Sequence, residues 1–109
     1  RLADTYLLEA EALIMGGINQ GRAQALLDAV RNRVGLASVP VTMDAIKFER
    51  RMELVGEGHR WFDLIRWGDA ADALAFKGFV KGKHEVLPIP LLELDNTLLE
   101  QNTEYGGGI

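Results

Sequence analysis

The stretch ERRMELVGEGHRWFDLIRWGD, residues 49–69, is the densest run of charged and aromatic side chains in the chain. It holds four Arg, three Glu, two Asp, two Trp and one of the two His residues of the sequence. A segment of this composition can be an active site, a ligand cradle or the ionic framework of a helical fold. The spacing of its charges and the patterns of the neighbouring segments distinguish these three possibilities.

The charges of this stretch are placed so that they can neutralise one another. Its three Glu residues follow at intervals of four, so they share one face of a helix. On the next short helix, Asp63 lies three residues from both Arg60 and Arg66, within side-chain reach of each. Arg forks suit bidentate pairing with carboxylates, and the signs are evenly mixed. We therefore predict a partly buried structural ion-pair network between helices, with Glu49, Glu53, Arg60, Asp63 and Arg66 as its members.

Three functional alternatives compete with this structural one. Paired carboxylates suggest glycosidase chemistry, but that needs a raised pKa on one carboxyl, and neighbouring Arg residues lower it. His59 and His84 with nearby acids suggest a metal site, although their spacing matches no ligand motif. Trp61 and Trp67 could stack on a sugar or a base, although Trp at such spacing more often belongs to a core. We predict no catalytic residue, no metal ligand and no cofactor in this chain.

The composition excludes several function classes. The chain has 109 residues, 48% of them hydrophobic, enough for one small domain or a piece of a larger one. Its net charge of −4 offers no basic face, so we predict no nucleic-acid partner. The absence of cysteine excludes thiol catalysis and Cys-based zinc sites in this stretch. No apolar run reaches the roughly 18 residues that a membrane-spanning helix needs.

Outward from the charged stretch, the first third of the chain predicts a helical hairpin over residues 1–35. Apolar residues recur at helical spacing over 2–15 and again over 22–34, where Val34 is the last of them. Gly16–Gly17 ends the first helix, and Gly35 is a suitable C-cap for the second. The pair has the size of a tetratricopeptide unit, about 34 residues. One such unit cannot bury both its faces, and the chain opens in mid-helix, so we expect a fragment of a larger α superhelical protein.

Two further segments complete the predicted all-α fold. A charged helical segment spans 42–76: Thr42 is its N-cap, glycines break it near 56–58, and short helices follow at 59–67 and 69–76. Its first helix carries an apolar stripe formed by Ala45, Phe48, Met52 and Val55. Residues 77–109 form an irregular C-terminal segment, because glycines and prolines at 78–90 oppose a helix. On the hairpin, Arg22, Arg31 and Arg33 are interpreted as a solvated helix edge.

The order of these segments resembles the C-terminal region of the SusD/RagB family. The resemblance extends from residue 1 to residue 105, and the segments that show it are RLADTYLLEAEAL, ALLDAVRNRVGL, ERRMELVGEGHRWFDLIRWG, LPIP and LEQNTEY. Two positions depart from the family pattern. Val34 stands where a small residue usually precedes Gly-Leu, and residues 101–105 read Gln-Asn-Thr-Glu-Tyr where Gln-Asn-Pro-Gly-Tyr is usual. Neither departure affects the identification, and the second loosens only the final turn.

The resemblance implies a function that composition alone does not. Members of the family are lipoproteins on the outer face of the outer membrane in Bacteroidota, attached through an N-terminal lipid that this chain lacks. Their scaffold is built of tetratricopeptide-like helix pairs. They capture oligosaccharides or polysaccharides, in some members peptides, and deliver them to a SusC-like TonB-dependent transporter. They are not enzymes.

The resemblance also assigns residues 49–69 to the structural framework, and no ligand-binding residue is carried over to this chain. Two alternatives stay open beside the uptake function. The first is a tetratricopeptide-like protein-interaction module without glycan binding, which a concave exposed face on the hairpin would favour. The second is a hydrolase that uses the carboxylates, which release of reducing sugar would favour.

Overall fold

The computed structural model describes residues 1–107, and within them every regular element is a helix. This confirms the all-α prediction. None of the described helices is long and apolar enough to cross a bilayer. The chain divides into two compact units, Arg1–Arg60 and a second that begins at Trp61. The elements are α1 (Leu2–Gly16), α2 (Gln20–Asn32), α3 (Met43–Glu53), α4 (Arg60–Trp67), α5 (Ala70–Ala73), α6 (Leu91–Leu94) and two 3₁₀ helices, Ala75–Lys77 and Thr103–Tyr105.

The hairpin of α1 and α2 forms because its turn is chemically specified. Gly17 adopts a left-handed conformation with φ 66°, and its N–H bonds to the carbonyl of Ile14, which closes α1. The side chain of Asn19 then accepts a hydrogen bond from the backbone N–H of Arg22 and caps α2. The predicted helix end at Gly16–Gly17 is confirmed, and α2 begins two residues earlier than the predicted position 22.

The core of the first unit lies between α1, α2 and α3. Helices α1 and α2 pack along their lengths, and α3 packs against α1. Val34 was predicted to belong to the apolar face of the second helix, but it is 54% exposed because α2 ends at Asn32. The buried apolar side chains of the core are Leu7, Ala10, Ala23, Leu26, Leu27, Val30, Val41 and Ile46.

The linker to α3 is held by a glutamine side chain. The Gln24 amide donates from Nε2 to the carbonyl of Val39 at 2.8 Å. Its Oε1 accepts the N–H of Val41 at 2.9 Å, so one side chain fixes the backbone on both sides of Pro40. Thr42 then caps α3 through its hydroxyl, which accepts the N–H of Ala45 at 3.0 Å, as predicted.

The side of helix α3 that faces the core is opposite to its apolar stripe. Phe48, Met52 and Val55 of the predicted stripe are 58%, 47% and 76% exposed, whereas Ala45 packs at the margin of the core. The buried face carries Ile46, Glu49 and Arg50 instead. The physical reason is that the charges of this face meet opposite charges on α1 and α2. Of the predicted stripe, only Ala45 therefore packs against the core, and Val55 lies beyond the last residue of α3.

The second unit contains short elements. Gly56 and Gly58, with φ of 76° and 82°, separate α3 from α4, as predicted. The helix predicted at 69–76 is divided into α5 and the first 3₁₀ helix. In this unit the rings of Trp61 and Phe79 lie 5.9 Å apart, and His84 meets Phe79 edge-on at 5.6 Å. Of its described residues, those buried are Asp63, Leu64 and Ala70.

Candidate functional site

Most charges of residues 49–57 point into the first unit, where they meet arginines of the hairpin. Glu49 accepts a 2.7 Å bond from Arg31, and their side chains are 5% and 13% exposed. Arg31 also donates from Nε to the carbonyl of Ala37 at 2.7 Å, which ties the linker to the same pair. Charge-assisted bonds of this length in a nearly dry setting fix geometry strongly. The pair therefore sets the position of α3 relative to α2.

A second carboxylate of α3 links both ends of the hairpin. Glu53 accepts hydrogen bonds from Arg1, at 3.1 Å, and from Arg33. Arg1 also reaches Glu57, with two nitrogen–oxygen distances of 2.7 and 2.6 Å. Glu53 is therefore held between two guanidinium groups that lie more than thirty positions apart in the sequence.

A third, deeper ion pair joins α3 to α1. Arg50 is 2% exposed, and its Nη1 lies 2.8 Å from Oδ1 of Asp4. Sequence reasoning did not predict this pair, because an acidic residue in the first turn of a helix, such as Asp4, is common and indicates no distant partner. It also interpreted Arg31 as solvated, although its side chain is 13% exposed and pairs with Glu49. Arg33 is exposed, as interpreted, and contacts Glu53. The third member of that edge, Arg22, is exposed and pairs with Glu9 on the surface at 3.0 Å.

The predicted network falls into separate groups. Glu49 and Glu53 belong to the first unit, with the hairpin arginines as partners. In the second unit Asp63 is buried and accepts a 3.1 Å bond from Arg66, one turn along α4. The guanidinium of Arg66 lies 5.2 Å from the ring centre of Trp67. Arg60 is exposed, and within residues 1–107 its side chain makes no ion pair. That these residues serve as scaffold stays a prediction.

Three carboxyl groups, of which Glu57 is exposed and Glu9 and Glu85 are half-buried, have pKa values below the ordinary range. Hydrogen bonds from Arg1 lower the pKa of Glu57, and hydrogen bonds from Arg22 lower that of Glu9. The backbone N–H of Gly82 lowers the pKa of Glu85. The same contacts raise the pKa of Arg1 and of Arg22. A glycosidase acid needs the opposite shift, so these three carboxyls are unsuited to donate a proton at neutral pH.

Of the predicted aromatic and histidine candidates, Trp61, Trp67 and His84 contact neighbouring groups. Trp61 packs against Phe79, and Trp67 lies beneath Arg66. The Nδ1 of His84 accepts the backbone N–H of Val80 at 2.8 Å and so closes a local turn. In the part of the chain that the structure describes, no three His, Asp or Glu side chains form a metal-binding cluster.

An open groove runs along the hairpin in the first unit. Its volume is about 280 Å³. The floor is apolar, with Tyr6 as its one phenol, and Arg1 and Arg33 stand at the rim. Both guanidinium groups already bind Glu53, so the groove offers mainly apolar contact. The lining residues are Arg1, Leu2, Ala3, Tyr6, Ala29, Val30 and Arg33.

The proline-containing segment at 88–90 is held by the residues that follow it in the recognisable sequence order. Ile89 has the one N–H of Pro88–Pro90, since proline has none. Gln101 accepts that N–H through Oε1 and donates from Nε2 to the carbonyl of Ile89, both at 2.8 Å. Asn102 donates to the carbonyl of Leu87 at 2.9 Å. The predicted irregular segment is therefore pinned by amide side chains.

The order of these elements matches a known family. The model of the SusD family matches residues 1–105, the same span over which the sequence resemblance extends. The chain belongs to the SusD family. The resemblance inferred from the sequence is thereby confirmed, and the Gln101–Asn102 clamp on LPIP lies within the matched region.

Several SusD-like proteins are similar in sequence to this chain. Two SusD-like proteins of Formosa agariphila are 34% and 31% identical, over 98% and 96% of this chain and 24% of their own length in each case. A SusD-like protein of Bacteroides ovatus is 36% identical over 62% of this chain and 13% of its own. A solved laminarin binding SusD-like protein is 63% identical, with a TM-score of 0.87 over 94% of this chain and 22% of its own. The chain thus spans about a quarter of the length of the curated relatives from Formosa agariphila.

Proposed function

We propose that this SusD-family chain is part of a glycan-binding subunit that delivers its ligand to a SusC-like TonB-dependent transporter. The observation that carries the proposal is the 63% identity to a laminarin binding SusD-like protein over 94% of the chain. In this proposal the protein is lipid-anchored on the outer face of the outer membrane. It binds without catalysis, needs no cofactor, and takes an oligosaccharide or polysaccharide as ligand.

Within that subunit, residues 1–107 act as scaffold. This part of the proposal is supported by the engagement of the charged side chains with one another, above all Arg50 with Asp4 and Glu49 with Arg31. Buried pairs of this kind specify helix positions more than they attract ligands. The glycan-contacting residues then lie elsewhere in the protein, on the part of the family fold that this chain does not span.

Binding is tested with the full-length protein that contains this chain. We expect laminarin to retard it in affinity electrophoresis, starch to retard it less, and neither glycan to yield reducing sugar on incubation. Binding of neither glycan would contradict the laminarin proposal, and release of reducing sugar would point to a hydrolase. The scaffold role is tested by Asp63→Ala, which should lower the melting temperature while folded molecules keep their laminarin affinity. A variant of unchanged stability that no longer binds would overturn that role.

The transporter partnership is tested by co-purification from the native host. Gentle extraction of the tagged full-length protein from the outer membrane should recover a large TonB-dependent barrel in near-equal amount. Recovery of a soluble partner without a barrel would contradict delivery and leave glycan binding to be judged by the electrophoresis.

A second candidate function is a tetratricopeptide-like interaction module without glycan binding. The observation that favours it is the open apolar groove on the hairpin, whose size suits one or two side chains of a bound peptide. The deciding comparison is a peptide-array screen against the laminarin assay. Peptide binding that Tyr6→Ala abolishes, with no response to laminarin, would favour this function over glycan capture.

A further inference from the structure

A turn at residues 80–85 is closed by a histidine side chain in one specific protonation state. The backbone N–H of His84 donates to the carbonyl of Val80 at 3.1 Å, and the N–H of Val80 donates to Nδ1 of His84 at 2.8 Å. A backbone nitrogen can only donate, so Nδ1 must present its lone pair. The second hydrogen bond therefore exists only while the imidazole is neutral, with its proton on Nε2.

The same turn holds a second side chain in its deprotonated form. The carboxylate of Glu85 accepts the backbone N–H of Gly82 at 2.7 Å. This bond lowers the pKa of Glu85 below its ordinary value of 4.5. The carboxylate is therefore ionised throughout the range of about pH 5–8, in which histidine side chains change charge. Acidification through that range leaves the Glu85 contact in place.

Charged groups on both sides of His84 in the sequence influence its protonation. Lys81 and Lys83 carry positive charge, which disfavours the imidazolium, and the Nζ of Lys83 lies 4.9 Å from the ring centre of Tyr105. The ionised carboxylate of Glu85 has the opposite effect. With two cations and one anion on the turn, a protonated imidazole gains little from its neighbours and loses its backbone hydrogen bond.

The ring cluster beside the turn is uncharged. Phe79 meets the imidazole of His84 edge-on, with ring centres 5.6 Å apart. Phe79 also packs against Trp61 of α4, with ring centres 5.9 Å apart. Because Phe79 lies between the two, a movement of the imidazole also changes the packing of the ring that contacts α4.

We propose that residues 80–85 form a pH-sensitive turn, which is closed while the imidazole of His84 is neutral and opens when Nδ1 gains a proton. The N–H of Val80 then loses its acceptor, and the imidazole leaves the edge of Phe79. This switch is independent of glycan binding, because it depends only on the hydrogen bonds of one turn.

Hydrogen exchange of the Val80 amide in the full-length protein tests the switch. Quenched-flow exchange with mass spectrometry gives the protection of this amide relative to the intrinsic exchange rate at the same pH. We expect protection to fall about three- to tenfold from roughly pH 7.5 to roughly pH 5.5, the loss that one hydrogen bond accounts for. The Val41 amide is the internal control. It donates to the side chain of Gln24, which does not titrate, so its protection should stay constant.

Three variants identify the group that titrates. His84→Asn offers Oδ1 in place of Nδ1, an acceptor that does not titrate, so protection of Val80 should be the same at both pH values. His84→Ala removes the acceptor, so protection should be low at both. Glu85→Gln should keep the response of the unsubstituted protein. Protection that does not change with pH in the unsubstituted protein would overturn the proposal. An equal fall in His84→Asn, or loss of the response in Glu85→Gln, would overturn it as well.

Discussion

The two units of the chain are stabilised in different ways. The first has an apolar core of eight buried side chains and ion pairs that join helices distant in sequence, such as Arg50 with Asp4. The second, in its described part, buries few side chains and is fixed by contacts between side chains and nearby backbone, such as Gln101 with Ile89. Several of its large apolar residues are exposed: Phe62, Phe76, Leu91, Leu92 and Leu98. The first unit is therefore stabilised by a packed apolar core, whereas the second is stabilised by local hydrogen bonds between side chains and backbone.

The largest effect that tests this comparison comes from truncating the core. Leu27 is fully buried, so Leu27→Ala should lower the free energy of unfolding by about 3–5 kcal/mol through lost burial and a cavity. Leu98, fully exposed in the second unit, is the matched control, and Leu98→Ala should change the free energy by no more than about 0.5 kcal/mol. Urea denaturation measures both. Similar losses for the two variants would remove the distinction between the units.

The next effect concerns the ion pairs of α3. Glu49→Ala should lower the free energy of unfolding by about 3 kcal/mol, because it leaves the mostly buried guanidinium of Arg31 without its carboxylate. The double variant Arg31→Met with Glu49→Leu should recover most of that loss, since apolar side chains of similar volume can replace a buried pair. A double-mutant cycle by urea denaturation checks both. A double variant as unstable as the single one would show that the pair is needed for packing as well as charge balance.

A smaller effect compares two glutamines that perform the same task in different units. Gln24 holds Val41 beside Pro40, and Gln101 holds Ile89 between two prolines. Either change to Ala should cost about 1–2 kcal/mol through a backbone group that loses its partner. Hydrogen exchange of the Val41 and Ile89 amides distinguishes the two variants. Gln101→Ala should speed exchange of the Ile89 amide and leave Val41 protected, and Gln24→Ala should do the reverse. Loss of protection at both amides in either variant would mean that the units unfold together.

The smallest effect is a pH dependence of the surface pairs. Arg1 lowers the pKa of Glu57 below its ordinary value of 4.5. A lowered pKa in the folded state means that the ionised form is preferred there. The resulting stabilisation is present above pH 4.5 and is lost as the pH falls through the folded pKa. Titration of the Glu57 carboxyl by NMR should show an upward shift of its pKa in Arg1→Gln. Glu85, whose pKa is lowered by a backbone N–H in the second unit, is the control, and its pKa should not change in Arg1→Gln.

Local signals in the sequence predicted where helices begin and end. Gly17 ends α1, Thr42 caps α3, and Gly56 with Gly58 separates α3 from α4, because each acts on backbone within a few residues. The alternation of charges in residues 49–69 indicated ion pairing, but not the partners. Arg31 was interpreted as solvated because a charge on a helix edge looks the same in sequence whether it meets water or a distant carboxylate.

The helical class, the main helix boundaries and, through the order of the motifs, membership of the SusD family can be read from the amino-acid sequence. Which face of α3 turns inward depends on tertiary contacts. That helix has an apolar stripe and a charged face on opposite sides, and periodicity alone favours burying the stripe. The charged face is buried because Asp4 and Arg31, far away in the sequence, lie where Arg50 and Glu49 can pair with them. Such pairing depends on residues that are distant in the sequence, so the local pattern of apolar and charged residues in α3 does not predict it.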